Sequence, residues 1–246
     1  LQHNPEFTML ETMESYINYK HNMNLVEELY EYLARDLFGK TEIKYQDKTI
    51  NFNRPWKRIT MAGSVKEITG IDYYQLSSVN QAQRQALEVL PAKKDEIMKL
   101  MSVGEIIALL FAEKAEQTLI QPTIVYQFPV ETSPLAKKCS QDPRFVERFE
   151  HYICGKEAGN HYTELNDPLD LKQRFLEEKK KIEAGFDEAH QTDDDFLEAI
   201  EHGMPPTSGI GIGIDRLIML FTNAKSIKEV IFFPTMRQVS NLKSEI

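Results

Sequence analysis

The sequence predicts an α+β fold built on an antiparallel sheet. Patterns typical of strands and of helices are mixed along the 246 residues, without the regular strand–helix alternation that produces a parallel sheet. Two alternating segments, Glu42–Tyr45 and Thr49–Phe52, flank a short polar loop and indicate a β-hairpin. A hydrophobic fraction of 41% is ample for the core of one large domain or of two small ones.

The first half of the chain divides into elements by local pattern. Asn24 is expected to cap a helix that ends at Gly39, because apolar residues recur between them at helical spacing. Arg54–Met61 has the composition of a strand. Ser64 is expected to cap a short helix that ends at Gly70.

The second half begins with a helical region at about residues 70–119, which is expected to be an insertion outside the main sheet. Strands are predicted at Thr123–Phe128 and Phe145–Cys154, although a helix is an alternative for the second segment. In that segment Phe145, Phe149 and Ile153 alternate with Arg148, Glu150 and Tyr152. Further helices are predicted to start at Pro168 and after Asp193.

Composition argues against several classes of protein. The formal charge of −9, from 38 acidic and 29 basic residues, argues against a protein that mainly coats nucleic acid. Two cysteines, Cys139 and Cys154, are too few for a disulfide framework and are expected to be free thiols in a reducing cytoplasm. No apolar run approaches the length of a membrane span, and no signal peptide is recognisable.

The most informative stretch is Gly209 to Arg216, which reads G-I-G-I-G-I-D-R. Alternate side chains of a strand face the same way, so the glycines leave one face bare while the isoleucines pack on the other. A flat ligand is then able to lie on the backbone, and Arg216 offers a planar charged fork to phosphate. A buried strand with glycines for close packing is the alternative.

A second informative set, Glu157, Asn160 and Glu164, surrounds Gly159. A straight strand would point the two glutamates to opposite faces, and Gly159 permits a bend that brings them together. Converging carboxylates suit Mg²⁺ or the ammonium group of a substrate. A solvated polar turn before the next helix is the alternative.

The third informative stretch runs from His3 to Glu11. Asn4 begins a turn, and Phe7 is either a core residue or a platform for a flat base. Glu11 lies on the Phe7 side of a strand pattern, where a carboxylate requires an arginine, a helix dipole or a cationic ligand.

Together these stretches resemble the catalytic domain of class II lysyl-tRNA synthetases, from His3 to Met236. H-N-P-E-F-T-M-L-E resembles the end of the second class II motif, and G-I-G-I-G-I-D-R resembles the third. S-P-L-A-K from Ser133 and Y-T-E-L-N-D-P from Tyr162 resemble lysyl-specific signatures. The resemblance implies an antiparallel sheet flanked by helices, in a catalytic domain whose N-terminal part, with the anticodon-binding domain, precedes Leu1.

The resemblance also implies roles for individual residues. ATP would be bound by His3, Asn4, Phe7, Glu157 and Arg216. Lysine would be bound by Glu11, Asn160, Tyr162, Glu164, Gly209 and Gly211. Mg²⁺ would be held by Glu157 and Glu164, which with Arg216 form the implied catalytic set. Met13 stands where the family usually has a tyrosine, so a hydroxyl near the substrate ammonium is missing.

The implied reaction is the ATP-dependent activation of lysine to lysyl-adenylate, followed by transfer to tRNA(Lys). The intact enzyme is expected to be a cytoplasmic homodimer without membrane association, and the isolated chain is expected to be inactive. One alternative is a synthetase-like lysyltransferase that acts on a protein. The other is a non-catalytic paralogue used as a binding module.

Overall fold

The computed structural model describes residues 4–183 and 192–234, and it confirms the α+β class. The strands are β1 Met9–Ser15, β2 Glu42–Tyr45, β3 Lys48–Asn51, β4 Lys57–Thr60, β5 Thr123–Pro129, β6 Phe145–Ile153, β7 Lys156–Thr163 and β8 Thr207–Gly213. Six of these form one sheet in the order β1-β8-β7-β6-β5-β4, and β2 pairs with β3 as the predicted hairpin. Neighbours in the sheet are antiparallel except β4 and β5, which are parallel.

Helices lie on both faces of this sheet. They are α1 Tyr19–Phe38, α2 Met61–Thr69, α3 Val79–Val89, α4 Lys94–Ile97, α5 Val103–Leu110, α6 Pro168–Glu183, α7 Asp194–Glu201 and α8 Ile214–Thr222. In the described residues no helix is both long enough and apolar enough to cross a membrane.

Two predicted helix starts were wrong. The N-cap of α1 is Asn18 rather than Asn24, because the first turns bury Met23 and a polar residue, Asn22, that carries no hydrophobic signal. The side chain of Asn22 instead donates to Ser208 Oγ at 2.9 Å. Thr60, not Ser64, caps α2 by accepting a hydrogen bond from Gly63 N. The ends at Gly39 and Gly70 are confirmed, and both glycines adopt the left-handed conformation that terminates a helix.

Residues 61–122 connect the parallel strands β4 and β5 and include the predicted helical region. Their helices pack on the sheet: Ile106 and Leu110 of α5 share a buried core with Val125 and Phe128 of β5. The expected helical content is confirmed, and these helices contribute no strand to the sheet. That residues 70–119 are an insertion stays a prediction.

The sheet has a closed back face and a half-open front face. On the back, Phe149, Ile210 and Ile212 pack against α1, the hairpin and α8. On the front, the crossover helices cover β5 and β6, and no helix of the described residues covers the surface of β7, β8 and β1 around the cavity. The open half of the front face therefore has room for a ligand.

A buried hydrogen-bonded chain runs through the back face. Gly211 N–H donates to His161 Nδ1 at 3.2 Å, so the proton of this neutral imidazole is on Nε2. His161 Nε2 lies 2.9 Å from His151 Nδ1, and His151 Nε2 lies 2.9 Å from the hydroxyl of Tyr30. Burial lowers the pKa of His151 to about 3 and that of His161 well below its ordinary value. Both rings are therefore uncharged at neutral pH.

Candidate active site

Strand register places one row of chemically informative residues across the front face. Glu11 of β1 is opposite Gly211 of β8, Gly211 is opposite Asn160 of β7, and Asn160 is opposite Glu150 of β6. Directly opposed residues of a sheet point to the same side. A second row on the same face contains Met13, Gly209, Tyr162 and Arg148. The three sequence stretches thus meet on one surface.

A cavity of about 290 Å³ opens at one end of this surface. Its lining includes Asn4, Phe7, Glu157, Asn160 and Arg216, together with Gly211 and Gly213. Phe7 is 62% exposed and lines the cavity, so it is not a core residue, and its role as a platform for a flat base stays a prediction. His3, the remaining residue implied in ATP binding, lies outside the described residues.

Arg216 and Glu157 hold each other on one side of the cavity. Arg216 Nη1 donates to the backbone carbonyl of Glu157 at 2.6 Å and lies 3.4 Å from its carboxylate. Asp215, at the start of α8, accepts a hydrogen bond from Thr8 N at 2.7 Å, while Ile214 N donates to Thr8 O at 2.9 Å. These bonds fix the segment that carries Phe7 beside the arginine.

Glu164 lies directly over the glycine ribbon. Its Oε1 is 3.1 Å from the point where a Cβ atom on Gly209 would stand, and Met13 Sδ is 2.8 Å from that point. Any larger residue at 209 would displace the carboxylate. Burial raises the pKa of Glu164 to about 7. Within the described part of the chain, its carboxylate has no ion-pair or hydrogen-bond partner.

The second cavity next to this carboxylate, of about 190 Å³, is lined by Ser133, Arg148, Asn160 and Tyr162 among others. Asn160 lines both cavities and thus lies between them. The two cavities therefore meet at Asn160, between the glycine ribbon and the predicted lysyl-specific segments.

Comparison with known proteins decides the family. The model of the tRNA synthetases class II (D, K and N) matches residues 1–237. The chain belongs to this class II synthetase family. It is 52% identical to the lysine–tRNA ligase of Bacillus subtilis, 49% identical to that of a Thermoanaerobacter species and 48% identical to that of Staphylococcus epidermidis. Each alignment covers 96% of this chain and 47% of the relative, so the chain spans about half the length of these ligases.

One predicted feature of this class II site does not fit the geometry, namely a single Mg²⁺ shared by Glu157 and Glu164. The register of β6 and β7 shifts between His151–Gly159 and Tyr152–Glu157, which places Glu157 on the front face. Both glutamates are on that face, as expected, but they lie at opposite ends of β7. At about 3.3 Å per residue the separation is roughly 20 Å, too far for a shared ion.

Glu150, which the sequence interpretation did not single out, is the acid nearest in the sheet to Glu157. It is buried on β6, one front-face position from Tyr152, which is opposite Glu157. Burial raises the pKa of Glu150, Arg148 opposes that rise, and the charge of Glu157 adds to it. The alternation of Arg148, Glu150 and Tyr152 against apolar residues predicted only a strand, although it is the sequence signal that places Glu150 on the same face as Arg148.

Glu11 departs from its predicted environment in this class II site. It is in the front row as expected, but every residue of β1 is exposed, so its carboxylate is solvated and does not require a buried cation. Met13 follows on the same face with 67% of its side chain exposed. Glu164 rather than Glu11 is therefore the acid that burial makes costly.

Proposed function

We propose that this chain forms the catalytic core of a lysine–tRNA ligase, which activates lysine with ATP and transfers it to tRNA(Lys). The supporting observation is the open front face, where a buried acid without a cation partner and an arginine–glutamate pair flank a bare glycine ribbon. The relatives named lysine–tRNA ligase support the choice of amino acid.

The lysine would lie along the ribbon with its side-chain ammonium at Glu164. A buried carboxylate whose pKa is raised to about 7 gains most from a cation, which restores its charge and releases its proton. Tyr162 and the exposed Glu11 would line the same end, and Gly209 and Gly211 would form the floor. An uncharged amino acid would leave Glu164 unpaired, at a cost of about 3–5 kcal/mol by analogy with a broken buried ion pair.

ATP would occupy the cavity of about 290 Å³. The adenine would stack on Phe7, and Asn4 and Arg216 would contact the nucleotide, with His3 assigned by resemblance alone. Arg216 is in the first turn of α8 and lines this cavity, where its guanidinium would neutralise charge on the phosphates.

The acids beside Arg216 suit a hard cation. Glu157 and Glu150 supply two carboxylates on adjacent strands, and Mg²⁺ commonly takes one or two carboxylates with water and substrate phosphate completing its shell. No three His, Cys, Asp or Glu residues in the described ranges form a metal cluster by themselves. When bound, Mg²⁺ would neutralise the phosphate charge; we assign it to Glu157 and Glu150 and leave Glu164 to lysine.

The first step joins a lysine carboxylate oxygen to the α-phosphorus of ATP and breaks its bond to the bridging oxygen, which leaves with pyrophosphate. In the second step a ribose hydroxyl at the tRNA 3′ end attacks the acyl carbon and AMP leaves. No side-chain nucleophile takes part. Holding two reactants in line contributes about 7–11 kcal/mol in favourable cases, and the chain would supply that alignment through Asn160, Glu164 and Arg216.

The test is amino-acid-dependent exchange of pyrophosphate into ATP by the complete polypeptide that carries this chain, with all twenty amino acids. Lysine alone should support exchange, and tRNA(Lys) should then be charged. Exchange with another amino acid, or none, contradicts the proposal. Exchange without tRNA charging supports a lysyltransferase acting on protein instead. A homodimeric, cytoplasmic enzyme, inactive as the isolated chain, stays part of this proposal.

A further inference from the structure

Arg148 connects the two halves of the site, although neither the sequence motifs nor the proposed reaction assigns it a role. It is on the front face of β6, opposite Tyr162, with 17% of its side chain exposed. Its guanidinium carbon lies 4.5 Å from the centre of the Phe128 ring. A fork stacked on an aromatic ring loses much of its freedom to rotate.

The donors of Arg148 point in three directions. Nε donates to Asn160 Oδ1 at 2.9 Å, and Nη2 donates to Glu150 Oε1 at 2.6 Å. Nη1 donates to Ser133 Oγ at 2.8 Å and to the carbonyl oxygen of Thr132 at 3.0 Å. One planar side chain therefore orients a residue at the amino-acid end and another at the nucleotide end.

The bond to Asn160 determines which way that amide points. Because a guanidinium only donates hydrogen bonds, the oxygen of the amide must be the atom that faces Arg148. The Nδ2 group is left for the cavities that Asn160 lines. Asn160 therefore presents donors, and a donor recognises the carboxylate of an amino acid rather than its ammonium groups.

We propose that Arg148 is a positioning residue that locks the Asn160 amide with its donors toward the carboxylate of the bound amino acid, while holding Glu150 in line at the nucleotide end. This inference rests on the proposed function. In this proposal the effect of Arg148 on lysine binding passes through its hydrogen bond to Asn160.

The experiment compares binding of L-lysine and L-lysinol to the complete polypeptide by calorimetry, without nucleotide or Mg²⁺. L-lysinol keeps both amino groups but has a neutral hydroxymethyl group in place of the carboxylate. Omitting nucleotide and metal removes the contribution of Glu150 from the measurement. Arg148→Lys should weaken binding of L-lysine by about 10- to 100-fold, the value of a hydrogen bond to a charged group, and leave L-lysinol binding nearly unchanged.

Asn160→Asp tests the same orientation independently. Aspartate still accepts from Arg148, but it replaces the donor group by a second acceptor that repels a carboxylate. It should lower the affinity for L-lysine and spare that for L-lysinol. In Arg148→Lys/Asn160→Asp the two losses should not add, because both act through one contact. The matched control is Arg144→Lys, since Arg144 is 51% exposed and pairs with Asp142 outside the site.

Each result supports or overturns the inference. Equal weakening of both ligands by Arg148→Lys would mean that the arginine only maintains structure, and unchanged L-lysine affinity in Asn160→Asp would mean that the amide does not face the carboxylate. Either result leaves the proposed function standing. Absence of L-lysine binding by the unaltered protein would instead overturn the proposed function and this inference with it.

Discussion

The two faces of β6, β7 and β8 differ in charge: the front face carries acids and arginines, and the back face carries uncharged side chains. Along β6, Arg148 and Glu150 point to the front, while Phe149 and His151 point to the back. On the front, the buried Glu150 and the half-exposed Glu157 lie beside arginines and an open cavity. On the back, His151 and His161 are uncharged and hydrogen-bonded to each other. His151 is also hydrogen-bonded to Tyr30. One-residue alternation thus separates a site that receives charge from a core that excludes it.

The faces should also respond to acid in opposite directions. Glu164 has a raised pKa in the folded protein, so its contribution to folding becomes more favourable as pH falls from about 7 toward its ordinary value. His151 has a lowered pKa, so its contribution is fully present above the ordinary histidine pKa and is lost as pH falls. The comparison is testable one face at a time.

The largest expected effect is on the front face. Glu164→Gln in the complete polypeptide should reduce kcat/KM for lysine in pyrophosphate exchange by about 10²–10³-fold or more, because the substrate ammonium loses its buried counter-charge. Glu28→Gln, which alters a 63% exposed glutamate on α1, is the control and should have no effect. Normal pyrophosphate exchange by Glu164→Gln at ordinary lysine concentration would show that Glu164 does not bind the substrate ammonium.

The next effect contrasts two glycines on opposite faces. A Cβ on Gly159 would lie 2.4 Å from Gly211 O and 2.7 Å from His151 Cε1, so Gly159→Ala forces the back of the sheet apart. The free energy of unfolding of the Gly159→Ala protein, measured in urea, should be about 1–3 kcal/mol lower than that of the unaltered protein. Gly209→Ala meets the flexible Met13 and the Glu164 carboxylate, so it should mainly lower lysine affinity. The reverse pattern would contradict the assignment of the two faces.

The smallest effect concerns the pH dependence of the back face. The unfolded chain protonates His151 below about pH 6.5, whereas the folded protein resists protonation down to about pH 3. Each pH unit in that window costs about 1.4 kcal/mol, so roughly 2 kcal/mol of stability should be lost between pH 6.5 and pH 5.

Urea titrations of the unaltered protein and of His151→Leu at several pH values isolate this contribution, since the front-face acids are common to both. The difference in unfolding free energy should change with pH only below about 6.5. A difference that stays constant across this range would show that His151 takes up a proton as easily in the folded protein as in the unfolded chain.

Local pattern predicted what lies within one strand or one cap. The glycine ribbon with Arg216 at the following helix and the alternation along β6 depend only on neighbours in sequence. They need no information about packing. The glycine run also carries part of the family resemblance, which the match over residues 1–237 confirmed.

Local sequence pattern did not predict which residues of neighbouring strands lie opposite each other. Gly159 correctly indicated that β7 is irregular, but the shift of register changes the face of Glu157 without shortening the strand, so convergence with Glu164 was wrong. The partnership of Glu150 with Glu157 depends on which residues of β6 and β7 are opposed. The start of α1 was wrong because Asn22, a polar residue, is buried by a contact to Ser208 from the far end of the chain.

The parallel pairing of β4 and β5 has a consequence for assembly. Residues 61–122 must cross the sheet before these strands can meet, and the same residues are the cover of the front face. The entropy lost in closing so long a connection is offset only when its helices pack on the sheet. This sheet edge and its cover are therefore expected to form in one cooperative event. The substrate surface, by contrast, is made by β6, β7, β8 and β1, whose pairing with one another does not involve residues 61–122. Ligand binding to the substrate surface would therefore measure the folding of these strands, and it would not measure the folding of the β4–β5 edge and its covering helices.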